Sequence, residues 1–166
     1  MIAKQPIEEL LKDLQKLYDN PVDPVHKDYY SKLALLELCG WLEIVLDDIT
    51  LTYAKARLTE SKNVEILEKE IVGRTYGFDY KAHFRPMLMK IIGLTNVERF
   101  ESSLTNLGVF QILVSQLGSL STLRNPAAHT SIAGAMPTFN APSTMTSYLN
   151  SLHPILTTVE AELNAL

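Results

Sequence analysis

From about His26 to about Leu58, apolar side chains recur around most of the circumference of a helix, with Leu33, Leu36, Cys39, Ile44, Leu46, Ile49 and Tyr53 among them. A helix that long and that apolar needs a shell of others around it, so it reads as the central spine of a bundle. Within it Glu37, Gly40, Glu43, Asp47 and Asp48 fall in one arc of about 140° at roughly 100° per residue. This acidic stripe is expected to face solvent. The alternative is a face turned toward a partner or an active site.

The rest of the chain keeps the same period, and no run alternates as a half-buried strand does. "PIEELLKDLQKLYDN" places Ile7, Leu10, Leu11, Leu14 and Leu17 on one face, opened by Pro6 and stopped by "NPVDP". "SKNVEILEKEIV" follows as a short helix with Ser61 as its cap. A Gly- and aromatic-rich connection, "GRTYGFDYKAHF", leads to a helix from about Tyr80 to Ile92, and "TNVERFESSL" forms a turn or short helix. Val109, Ile112, Leu113, Leu117 and Leu120 mark one face of the next helix. Met145, Leu149, Leu152, Leu156, Val159 and Leu163 mark the last, in which Pro154 is expected to cause a kink or a restart. The predicted fold class is all-α: one domain over 1–166, a bundle of about five to seven helices around one long central helix.

A chain of 166 residues, 46% hydrophobic and 20% charged, can bury a full core. The single cysteine, Cys39, excludes an internal disulfide and suits a reducing, cytoplasmic setting. "MIAKQPIEELLKD" acquires charge too early for a signal peptide. The most apolar run, Leu33 to Leu46, carries Glu37 and Glu43 and falls short of the ~20 residues a membrane span needs. A soluble protein with no membrane partner is expected.

A net charge of −4 argues against a generally basic nucleic-acid binder. Between Gly73 and Arg99, however, Arg74, Lys81, Arg85, Lys90 and Arg99 face only Asp79 and Glu98, a local excess of +3. Such a segment can attract a polyanion. Arg74, Lys81 and Arg85 also alternate there with Tyr76, Phe78 and Tyr80, so stacking and phosphate contacts to single-stranded RNA are one reading. Aromatics packing the loop onto the bundle are the other.

"LRNPAAHT", Leu123 to Thr130, departs most from ordinary helix. Arg124 and His129 are five residues apart and would diverge by about 140° on an unbroken helix. Pro126 disfavours helical geometry at Asn125, and Asn125-Pro126 suits the N-cap and first position of a new helix. The spacing therefore predicts a break at Asn125, with Arg124 closing one helix and His129 in the first turn of the next. The two side chains would then converge. Arginine offers a planar fork for phosphate oxygens. A helix start adds free N–H groups for an anion and a positive dipole end that favours a neutral, basic imidazole.

These residues resemble the R-x-x-x-x-H signature of the HEPN superfamily, small all-α domains of prokaryotic defence systems, toxin–antitoxin pairs and eukaryotic RNA-processing nucleases. Arg124 and His129 match it, and Asn125 stands where that family commonly has a polar residue. The long helix containing "YYSKLALLELCGWLEIVLDDI" before the motif helix is similar as well. The resemblance implies metal-independent cleavage of RNA by a homodimer whose two motifs share one cleft, with no cofactor. It assigns His129 to acid or base work on the attacking 2′-OH and Arg124 to the charge developing on phosphorus. Asn125 would hold the turn or contact phosphate, with Thr130 in support, and the products would be a 2′,3′-cyclic phosphate and a 5′-OH. An antitoxin or another defence-system component is the partner implied. Where toxins paired with nucleotidyltransferase antitoxins often carry tyrosine, Ser131 stands, which speaks against control by tyrosine AMPylation.

A catalytically silent HEPN module that binds RNA or a partner protein shares the same motif. A plain helix cap, with His129 packed, is the bland alternative. His26, His83 and His153 lack metal-ligand spacing with one another or with Cys39, and His153 before Pro154 reads as structural. Glu43 with Asp47 makes a thin Mg²⁺ site. No metal site is expected.

Overall fold

The computed structural model describes residues 2–129 and 138–166, and among these every regular element is helical. The elements are α1 (Gln5–Asp19), α2 (Val25–Lys55), α3 (Ser61–Ile66), α4 (Arg85–Asn106), α5 (Phe110–His129) and α6 (Pro142–Asn164). Two stretches wind more widely, as π-helix: Leu67–Val72, continuing α3, and Tyr80–Phe84, leading into α4. The all-α bundle around a long helix is as expected. No described helix is long and apolar enough to cross a membrane.

α2 forms the spine, and α1, α5 and α6 all pack against it. Leu35, Leu38, Leu42, Leu46 and Ile49 fill its inner face, and they meet Leu11 of α1, Leu113, Leu117 and Leu120 of α5, and Leu149, Leu152 and Leu156 of α6 in one buried core. Each such side chain contributes about 2 kcal/mol by leaving water. On α1 only Ile7, Leu11 and Leu14 of the expected face are buried; Leu10 and Leu17 stay exposed. The stripe that α1 seats is therefore narrower than its leucines suggest. Polar ties finish the packing: Gln15 accepts from the Ser143 N–H at the start of α6 (2.6 Å), and the Trp41 indole N–H donates to the Ala3 carbonyl (3.0 Å).

Between Gly73 and Asp79 the chain crosses over the bundle, burying Phe78, and Asp79 then caps the π-helical turn by accepting from the Ala82 N–H (2.8 Å). At Gly77 (φ +133°) a Cβ would come within 2.8 Å of the His83 ring, so the crossing needs glycine there. The expected helix to Ile92 and the short helix after it are joined into α4, with a kink at Gly93 (φ 75°, ψ 161°). The break expected at Pro126 needs correction: α5 runs through it. α6 also runs through Pro154, so of the kink or restart expected there the restart does not occur. Proline's own φ is helical, and its cost is a lost hydrogen bond and crowding one turn back. Core burial of Ile155 and Leu156 on one side, and of Ala127 on the other, holds both helices on course.

Candidate functional site

The last turns of α5 carry the singled-out residues. Leu113, Leu117, Leu120 and Ala127 hold the helix against the core, and Arg124 lies beside that face, toward α2. Its Nη2 is 3.3 Å from Glu43 Oε1, with side chains 37% and 30% exposed. That oxygen is shielded from solvent and accepts no aligned hydrogen bond, so the contact is an ion pair held by charge alone. A pair this exposed is worth ~0–1 kcal/mol. Its effect is to position the guanidinium.

Because α5 is continuous, the convergence expected at Asn125 does not occur within one copy. Arg124 leans on α2, while His129 is exposed in the final turn. An uninterrupted helix sends the two about 140° apart. Asn125 is exposed and opens no new helix. His129 is the last described residue of α5, nineteen residues after its first, and opens no helix. The N–H cradle and positive dipole expected beside the imidazole are therefore absent at His129. Its exposure also sets aside the packed-histidine alternative. Thr130 and Ser131 lie outside the described residues.

The acidic stripe divides. Glu37 and Asp48 face solvent as expected, whereas Glu43 and Asp47 are half-buried, and Glu43 meets Arg124. Burial, then the charges of Glu43 and Asp48, push the Asp47 carboxyl up to about 6. One turn before Glu43, Cys39 is buried, its sulfur 4.0 Å from the Leu120 carbonyl. Burial pushes its thiol up to about 12, with Arg124 drawing it down and Glu43 raising it, so it is no nucleophile. Glu43 as the partner of Arg124 escaped sequence reasoning. The acidic stripe was its only trace.

Asp47 makes a stability prediction. Between its ordinary pKa near 4 and about 6 the unfolded chain ionises this group while the folded chain keeps its proton. Stability therefore falls as pH rises through that window and stays lowered above it. Asp47→Asn removes the penalty. After discounting for solvent screening of a half-exposed group, the variant should gain on the order of 1 kcal/mol at neutral pH. Thermal melts should show that gain fading to nothing near pH 4.

The Gly73–Arg85 segment splits between its two readings. Phe78 and Tyr80 pack into the core, whereas Tyr76 is 80% exposed. Arg74 is paired with Glu70 (2.8 Å) and Arg85 with Glu101 (2.7 Å), while Lys81 is exposed. Lys81 and Arg85 share a cavity of about 480 Å³ with Tyr80, Glu101 and Phe110; Arg74 and Tyr76 lie outside it. The His26 ring lies tilted against Tyr29 and Tyr30 (centroids 5.9 and 6.1 Å apart), and His153 Nε2 is 3.3 Å from the Ile2 carbonyl. Among the described residues no three His, Cys, Asp or Glu side chains gather as metal ligands.

What the end of α5 offers chemically is one oriented guanidinium, one solvent-facing imidazole and one exposed amide, beside half-buried carboxylates. Comparison with protein-family models, curated proteins and solved structures returns no match.

Proposed function

We propose that the chain is a HEPN-type endoribonuclease that cleaves RNA by 2′-OH attack as a homodimer, in the cytoplasm and in a bacterial defence or toxin–antitoxin setting. The observation that carries this reading is the pairing of roles at the end of α5: Arg124 is oriented by Glu43, and His129 is open to solvent one turn on. His129 takes the proton of the 2′-OH as that oxygen bonds to phosphorus. The bond from phosphorus to O5′ breaks, and O5′ receives a proton from an imidazole acting as acid. Arg124 leaves Glu43 for the phosphate oxygens, where its fork matches the developing charge. Because the two side chains diverge within one copy, each scissile phosphate meets Arg124 of one chain and His129 of another.

The divergence, together with the occupied Arg124, favours a second reading, a silent module that binds RNA or a partner protein. The test is to incubate purified protein with RNAs of varied sequence in EDTA and map the ends. Cyclic phosphates support the enzyme. Intact RNA throughout overturns it in favour of the module.

A further inference from the structure

α2 ends in "TYAKARL", where Tyr53 and Ala54 turn inward and Arg57 reaches solvent. Beside it, α3 runs into its π-helical turn and faces the first turns of α4. The three elements do not close on one another and leave a cavity of about 260 Å³. Buried Tyr53 and Leu67 form its floor, and half-buried Leu58, Ile71 and Ile91 form its walls. Ile66, 42% exposed, stands at the mouth. Aliphatic surface left open in this way gains by exchanging water for a chain.

Charge at the mouth has one sign. Arg57 stands on the α2 side and Lys90 on the α4 side, both exposed, and no described carboxylate lines the cavity. The Arg57 guanidinium lies 3.8 Å from the centre of the Tyr53 ring and donates to the carbonyls of Tyr53 (3.3 Å) and Asn164 (3.1 Å). Those bonds use two of its five N–H donors and hold the fork in place, and both acceptors are neutral. The three acidic side chains of α3 and its π-helical turn are engaged elsewhere: Glu65 with Lys69 (2.7 Å), Glu68 with Lys55, and Glu70 with Arg74 (2.8 Å). Two cations above an apolar pit, in a chain of net charge −4, are the complement of an amphiphilic anion.

Size narrows the ligand. At roughly 30 Å³ for a group as small as a water molecule or a methylene, the cavity holds about eight or nine of them. Drug-sized ligands occupy ~300–1,000 Å³. We infer that this cavity binds a medium-chain alkyl carboxylate of about eight carbons, its chain against Leu67, Ile71 and Ile91 and its head group between Arg57 and Lys90. The site shares no residue with the end of α5 and does not rest on the ribonuclease reading.

Isothermal titration of the full chain with octanoate should give one site with a dissociation constant on the order of 0.1 mM. Shortening the ligand to hexanoate should weaken binding about fourfold for each methylene lost. Octanol and octylamine carry the same chain without negative charge and should bind roughly tenfold more weakly or worse. Lys90→Glu should weaken octanoate by roughly tenfold or more with an unchanged circular dichroism spectrum, whereas Lys90→Arg should keep its affinity within about threefold. At roughly a hundredfold excess over its dissociation constant, octanoate should raise the melting temperature by about 5–10 °C. A titration without heat or thermal shift up to about 10 mM, octanol binding as tightly as octanoate, or Lys90→Glu binding like the wild type overturns the proposal.

Discussion

Alanine at Arg124 and alanine at His129 will each lower RNA cleavage by about two to four orders of magnitude with the fold intact. His129 is exposed, and Arg124 gives up only a partly exposed ion pair, so thermal melts should move by no more than a few degrees. Arg124→Lys keeps the charge but loses the planar fork, and its activity should fall between wild type and alanine. Mixing the two alanine variants separates the geometries. If each phosphate draws Arg124 and His129 from different chains, a mixed dimer holds one intact site and one doubly dead site. Random exchange then restores about a quarter of wild-type activity. Full activity in either alanine variant sinks the assignment of roles. A mixture as inactive as its components returns both groups to one chain.

That experiment is needed because the motif was legible in the sequence and its geometry was not. Local signals located the helices well: Pro6 opens α1, and the leucine faces of α5 and α6 point inward as their spacing indicates. Prolines were harder. The preference of Asn125 and Pro126 for starting a helix is a local effect of order 1 kcal/mol, and it competes with the packing of the whole buried face of α5, Leu113, Leu117, Leu120 and Ala127, against the core. The same holds at Pro154, where the residues following the ring lie in the core. The Arg124–Glu43 pair joins positions far apart in the chain, so nothing near either residue announces it. Both π-helical stretches are equally hidden. The wider turn at Tyr80–Phe84 depends on what Tyr80 reaches across the bundle.

Tyr80→Ala should be among the most damaging single changes in the molecule. The side chain is 1% exposed and meets Phe84 and Phe110 edge-on at 6.0 and 5.2 Å. Its hydroxyl donates to Glu101 Oε1 (2.9 Å), which also accepts from Arg85 Nε (2.7 Å). Burial and then the Glu101 bond hold the Tyr80 pKa well above the ordinary phenol range, against the pull of Arg85, so the ring stays a donor at any pH the protein tolerates. Losing the ring leaves a cavity where the π-helical turn, α4 and α5 meet, a cost of about 3–5 kcal/mol. At ~2–4 °C per kcal/mol for a chain of this size, the melting temperature should drop by roughly 10 °C. Tyr80→Phe keeps the ring and leaves Glu101 with Arg85, costing about 1 kcal/mol. Glu101→Leu strands both the phenol and the guanidinium and should cost about 2–3 kcal/mol. The double variant should cost less than the sum, since both changes remove the same bond. Additive losses would mean that the hydroxyl and the carboxylate do not act together. Phe110 and Arg124 are fourteen residues apart on α5, roughly 21 Å, so Tyr80→Phe should leave RNA cleavage unchanged where the protein stays folded. A loss of activity at full stability would place the Tyr80 end of α5 in the RNA path, with Lys81 and Arg85 beside it.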